Sequence, residues 1–196
     1  MPYAPQDYAR LLGMPGFSNT LLENHFKLYA GYVNNTNKLS DILGQLSKDG
    51  KGASPEYTEL KRRFGWEFNG MRLHELYFAN MSATPAAMDA NSALTKKIVE
   101  DFGSAEAWMA DFKATSAMRG IGWTILYLDQ QANRLFNVWI NEHDVGHLAG
   151  GVLLLILDVF EHAYMIDYGI NRADYIAAFF NVIDWAEVSK RYDTVQ

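Results

Sequence analysis

The stretch Val152–Leu157 is the longest aliphatic run in the chain, and it ends on a carboxylate, Asp158, followed four residues later by His162 (VLLLILDVFEHAY). Six consecutive apolar residues read as a buried strand, far too short to span a bilayer. An aspartate at the end of such a strand is costly unless something compensates its charge. Its ordinary role would be to cap the turn that follows. Asp158 and His162, four apart, share a side whether the segment is extended or helical.

Around this run the chain reads as α+β. A helix is expected from Asn19, capped by Ser18 or Asn19, to Leu46, with Leu21, Leu22, His25, Tyr29 and Tyr32 near helical spacing. KDGKGASP is a loop by composition, and a second helix follows from Pro55 to Ala79 with His74 on its inward face. The simplest arrangement is an N-terminal antiparallel helical hairpin. NMSATPAAMD is the candidate boundary, which gives a helical unit over 1–81 and an α+β unit over 82–196. In the latter, helices at Ser92–Phe102 and Ser104–Met118 precede strands at Gly122–Leu128, Leu135–Ile140 and Gly151–Val159, a small three-stranded antiparallel sheet. Helices near Asn171–Val182 and Trp185–Tyr192 close the chain.

The 196 residues hold no cysteine, which excludes thiolate metal sites, disulfides and thiol nucleophiles. Any metal must rest on His, Asp, Glu or backbone oxygen. A net charge of −6 argues against general nucleic-acid or membrane-surface binding, and no signal peptide is evident at the start, so a cytoplasmic protein is expected. There are five histidines. Singly, His25 or His74 would be read as a core histidine bonded to a carbonyl. Together, His25, His74, Asp158 and His162 put three imidazoles and one carboxylate on stripes expected to be buried. One cation compensates all four, and this donor set suits iron, manganese or zinc.

These residues lie in segments that resemble the iron/manganese superoxide dismutases: H-x6-YVNNTNKL, FNGMRLHELYFANM, GIGWTILYL, and above all DVFEHAY followed by NRADYIAAFFNVIDW. The resemblance implies that His25, His74, Asp158 and His162 bind one Fe or Mn ion, and that the protein is an antioxidant enzyme converting superoxide to dioxygen and hydrogen peroxide. It implies the same helical-hairpin and α+β fold, with the metal at the junction of the two units. It matches Tyr32 to the tyrosine beside the substrate channel and Trp123 to a wall of the metal pocket. It matches Glu161 to a glutamate reaching His162 of the other subunit of a homodimer, with a tetramer of two dimers also open. Arg172 and Tyr168 would support that interface.

The chain departs from the family pattern in three places. The family's helix-borne glutamine, which anchors the solvent ligand, is replaced by Gly70, and His143 is assigned that hydrogen bond. His147 is read as structural, since an HxxxH zinc site with His143 lacks a third ligand. The family's eight-residue separation from first ligand to tyrosine is seven here, His25 to Tyr32. At about 100° per residue, seven steps return to nearly the same face, so this helix is expected to be regular where relatives bulge. Leu28, Tyr29 and Ala30 replace a histidine pair, and Met165 replaces the second tyrosine of EHAYY, a coupled change. Lys27 and Arg72 are candidates for a local field that draws in an anion. The rival readings are a catalytically silent scaffold on the same fold and a mononuclear iron enzyme acting on an organic substrate or a peroxide.

Overall fold

A computed structural model describes residues 1–195. Helix α1 runs Asn19–Lys48 and α2 runs Pro55–Ala79. Each starts on a serine in extended conformation, Ser18 or Ser54, whose side chain accepts a hydrogen bond from the third residue on, and Pro55 occupies the first helical position. Helix α1 is α-helical throughout, with no bulge between His25 and Tyr32, as the seven-residue spacing requires. Side-chain pairs Asn35–Glu67 and Tyr29–Glu75 show that the two helices run antiparallel.

Helices α3 (Ala93–Phe102) and α4 (Ala105–Ser116) lead into strands β1 (Gly122–Asp129), β2 (Arg134–Asn141) and β3 (Gly151–Asp158). The sheet is antiparallel with order β2-β1-β3, so β1 is central and buried along nearly its whole length. Register sets Trp123 opposite Asp158 on one side and opposite Ile140 on the other. A tight turn at Glu161–Ala163, the short helix α5 (Met165–Tyr168), α6 (Arg172–Phe180) and α7 (Trp185–Asp193) complete the chain. The fold is thus the α+β arrangement read from the sequence, and every expected element is present within two residues at most ends. No described helix is long and apolar enough to cross a membrane.

One continuous apolar core runs through both halves of the chain. Asn80, at the end of α2, ties them together. Fully buried, its amide accepts from Ile156 N at 3.0 Å and donates to Ile156 O at 3.2 Å, so it pairs with β3 much as a neighbouring strand would. That junction fixes His74, on α2, relative to Asp158, at the end of β3.

Candidate metal centre

The four residues His25 (α1), His74 (α2), Asp158 (β3) and His162 (the turn after it) converge: one ligand atom from each lies within 4.8 Å of all the others. Asp158 Oδ2 stands 3.2 Å from His25 Nε2, 3.6 Å from His74 Nε2 and 3.2 Å from His162 Nε2. Ligands about 2.1 Å from one cation, at angles of roughly 90–120°, lie about 3.0–3.6 Å from each other, so this spacing suits a shared ion. The carboxylate serves two purposes, since its Oδ1 accepts from Phe160 N at 2.9 Å and shapes the turn that brings His162 back.

The surroundings orient the donors. His74 Nδ1–H donates to the Gly70 carbonyl, which aims Nε2 into the site. Among the described residues, that Nε2 is buried with no hydrogen-bond partner, as is Nδ1 of His25. A buried, unpaired acceptor costs free energy, and a cation removes that cost for His74. Tyr77 donates to Tyr175 (3.0 Å), and Tyr175 donates to the backbone carbonyl of Asp158 (2.7 Å), which braces the strand end from behind. Burial pushes His25 down and His74 well down from the ordinary imidazole range, so both are neutral. Burial alone would raise Asp158, but His162 and the hydrogen bonds from His162 and His25 hold it well below the usual carboxylate range. Neutral imidazoles and an ionised carboxylate are the states in which these groups bind metal.

Tyr32, Trp123 and His143 form a hydrogen-bonded row beside the four. The indole Nε1–H of Trp123 donates to His143 Nδ1 at 3.0 Å, and His143 Nε2 lies 2.9 Å from the Tyr32 hydroxyl. An indole can only donate, so Nδ1 must be the acceptor and the single proton of neutral His143 sits on Nε2. That proton goes to Tyr32 Oη, which leaves the Tyr32 O–H free to donate elsewhere. Burial lowers His143 to about 4, and burial with the charges of Asp158 and Glu67 keeps the Tyr32 phenol protonated. The Tyr32 ring stacks on His74 at 5.1 Å, and Phe160 stacks between His143 and His162.

Other residues singled out in the sequence fall elsewhere. His147 is held by the Tyr127 hydroxyl at Nδ1 and gives its Nε2–H to the His143 carbonyl, a loop-bracing role. Arg72 pairs with Glu75, which also accepts from Tyr29, so its charge is spent away from the site. Lys27 is exposed. Arg172 bonds the carbonyls of Met118 and Gly120, and Tyr168 bonds that of Gly16, all within one chain. Met165 is exposed on the single chain, and Tyr29, its ring 6.4 Å from that of His74, donates its hydroxyl to Glu75 and accepts from Gln6 N. Trp66 shares the inward face of the second helix with Gly70 and His74 by spacing, but its bond to Glu142 was not legible in the sequence, because contacts between distant segments carry no local pattern.

The fold and the donor set define a class, an α+β protein with a candidate one-ion site of three imidazoles and one carboxylate. The family profile for iron/manganese superoxide dismutases, C-terminal domain, matches residues 90–191. Over 190 residues the chain is 37 % identical to superoxide dismutase [Mn] 2 of Haloferax volcanii, covering 96 % of this chain and 92 % of that one. It is 38 % identical to superoxide dismutase [Fe] of Aquifex pyrophilus (96 % and 90 % covered) and 32 % identical to superoxide dismutase [Fe] of Sulfolobus acidocaldarius (90 % and 86 %). The chain belongs to the iron/manganese superoxide dismutase family.

Proposed function

We propose that this chain disproportionates superoxide to dioxygen and hydrogen peroxide, using one Fe or Mn ion held by His25, His74, Asp158 and His162. The observation that carries the assignment of ligands is their convergence around one Asp158 oxygen, with a buried His74 nitrogen otherwise unpaired. The bound ion supplies one-electron redox cycling, oxidising one superoxide and reducing the next.

The chain's own residues handle protons and access. Peroxide formation takes up two protons, and Tyr32, with its O–H free and its Oη held by His143 Nε2–H, is the donor best placed to pass one inward. Trp123 fixes the His143 tautomer that makes this direction of donation possible. Gly70 bears no side chain, and both ring nitrogens of His143 are engaged, by Trp123 and by Tyr32, so the hydrogen bond to the solvent ligand read for His143 falls instead to the free O–H of Tyr32. Similarity does not choose between metals, since relatives named for Mn and for Fe are about equally similar.

The ligands come two from residues 1–81 and two from residues 82–196, which supports reading the site as the junction of two units. A homodimer is supported by the exposed apolar side chains Met165 and Ile170, which share a surface depression with exposed Glu161, beside His162. Glu161 would there reach the second subunit. The test is superoxide consumption measured together with metal content. Activity should rise in proportion to bound ion and vanish in Asp158→Ala, and activity independent of the ion would overturn the reading.

A further inference from the structure

His143 is fully buried, yet it sits in a five-residue turn past the end of β2, with no helix or strand of its own to place it. The turn is closed by Asn141 and Val145, whose backbones exchange hydrogen bonds of 2.8 and 3.3 Å. Glu142, just before His143, has φ +50°, a left-handed conformation that a glutamate does not adopt without support. Its N–H is taken by Ile121 O at 3.1 Å.

The side chain supplies a second tether, to a different element. Glu142 Oε2 accepts the indole Nε1–H of Trp66, on α2, at 3.0 Å. The Trp66 ring meets His143 edge-to-face at 4.4 Å and the Tyr32 ring at 5.6 Å. Its other neighbour is Arg63, one turn earlier, whose guanidinium lies 3.7 Å from the ring centroid. Arg63 is in turn fixed by Nε and Nη2, 2.8 and 2.7 Å from Glu67 Oε1. Arg63, Trp66 and Glu142 therefore form a stack that joins α2 to the His143 turn from outside.

We propose that Glu142, anchored on the Trp66 indole, is a positioning residue that keeps His143 Nε2 within hydrogen-bond reach of Tyr32, with Arg63 clamping the indole in place. This deepens the function proposed above and rests on it. An indole N–H bonded to a carboxylate is a charge-assisted hydrogen bond. It offsets the unfavourable backbone of Glu142 at the residue next to the one whose placement matters. Removing the carboxylate frees the turn to relax towards an ordinary φ, which swings the imidazole away from the phenol.

The experiment compares manganese-loaded wild type with Glu142→Ala, Glu142→Gln, Trp66→Phe and the double variant Trp66→Phe/Glu142→Ala. Deuterium exchange of the backbone amides over 141–147 is read by mass spectrometry beside the dismutation rate. Glu142→Ala and Trp66→Phe should each speed exchange in that turn about tenfold, the scale of one lost charge-assisted hydrogen bond, and slow turnover several-fold. Glu142→Gln, whose amide oxygen still accepts from the indole, should recover most of both, and the double variant should be no worse than either single one. Wild-type exchange in Glu142→Ala, or a Gln variant as impaired as the Ala variant, would overturn the proposal. The exchange readout needs no turnover, so a wild type that fails to dismutate superoxide would count against the function alone.

Discussion

Gly70 and Tyr32 face each other so closely across the two N-terminal helices that a Cβ on Gly70 would lie 2.6 Å from Cδ1 of the Tyr32 ring and 2.8 Å from Cε1. The glycine is therefore required by the tyrosine. With α1 regular, the seven-residue step from His25 lays the Tyr32 ring flat over α2 and on His74. A glutamine at position 70 and a tyrosine in this pose cannot coexist.

Gly70→Ala should thus destabilise the protein by about 1–3 kcal/mol through overpacking against a rigid ring, more than offsetting the ~1 kcal/mol that Ala brings to a helix interior. Gly65, in the same helix, has open space among the described residues where a Cβ would lie, and Gly65→Ala should stabilise by about 0.5–1 kcal/mol. Denaturant unfolding of the two variants is the check. Equal effects would remove the steric argument. Only Gly70→Ala should also slow turnover.

Acid should weaken the fold through histidines that are buried neutral. His143 titrates at about 4 in the folded chain against 6.5 ordinarily, so between those values the unfolded chain binds more protons. Stability contributed this way is complete above about pH 6.5 and is lost as pH falls towards 4. His25 and His74 act in the same direction. The melting temperature of His143→Gln should fall less steeply than that of wild type over this range, and parallel curves would contradict the assignment. Tyr32→Phe, which removes the free O–H, should change the proton-limited phase of turnover, and it should lower the melting temperature by an offset present also at neutral pH, because the buried His143 Nε2–H loses its acceptor.

Asp158→Asn should abolish metal binding while keeping the local turn, because its amide oxygen can still accept from Phe160 N. Metal analysis should show loss of the stoichiometric ion. Chelation of wild type should lower its melting temperature, since an ion at a thousandfold excess over Kd stabilises the folded state by about 4 kcal/mol. The variant's melting temperature should not respond to added Mn or Fe. A metal-replete Asp158→Asn protein would show that the carboxylate is not a ligand.

The surface beside the site predicts association. Ile170 is 94 % exposed, and Ile166 and Met165 are 51 % and 41 % exposed. Ile170→Glu should shift sedimentation from dimer towards monomer, and Glu161→Ala should weaken the dimer further. Monomeric wild type would refute the arrangement.

Much of this was legible in the chain itself. Serine caps, Pro55, the Gly-rich loop and the apolar run ending at Asp158 act locally, and they delimit α1, α2 and the strands to within a residue or two. The convergence of His25, His74, Asp158 and His162 was readable because buried polar groups need compensation. The clamp of Arg63 and Trp66 on Glu142 was not readable, since it joins segments 76 residues apart and turns on a single φ of +50°. The same holds for the Gly70–Tyr32 fit, where the sequence shows an absent glutamine but not the ring that fills its place. Arg72 misled for a related reason, because its partner Glu75 decides whether its charge is available.

The decisive measurement is the rate of superoxide dismutation per bound metal ion, on protein loaded separately with iron and with manganese. Activity should be proportional to occupancy with at least one of the two metals. Fully loaded protein that is inactive with both would contradict the proposed function.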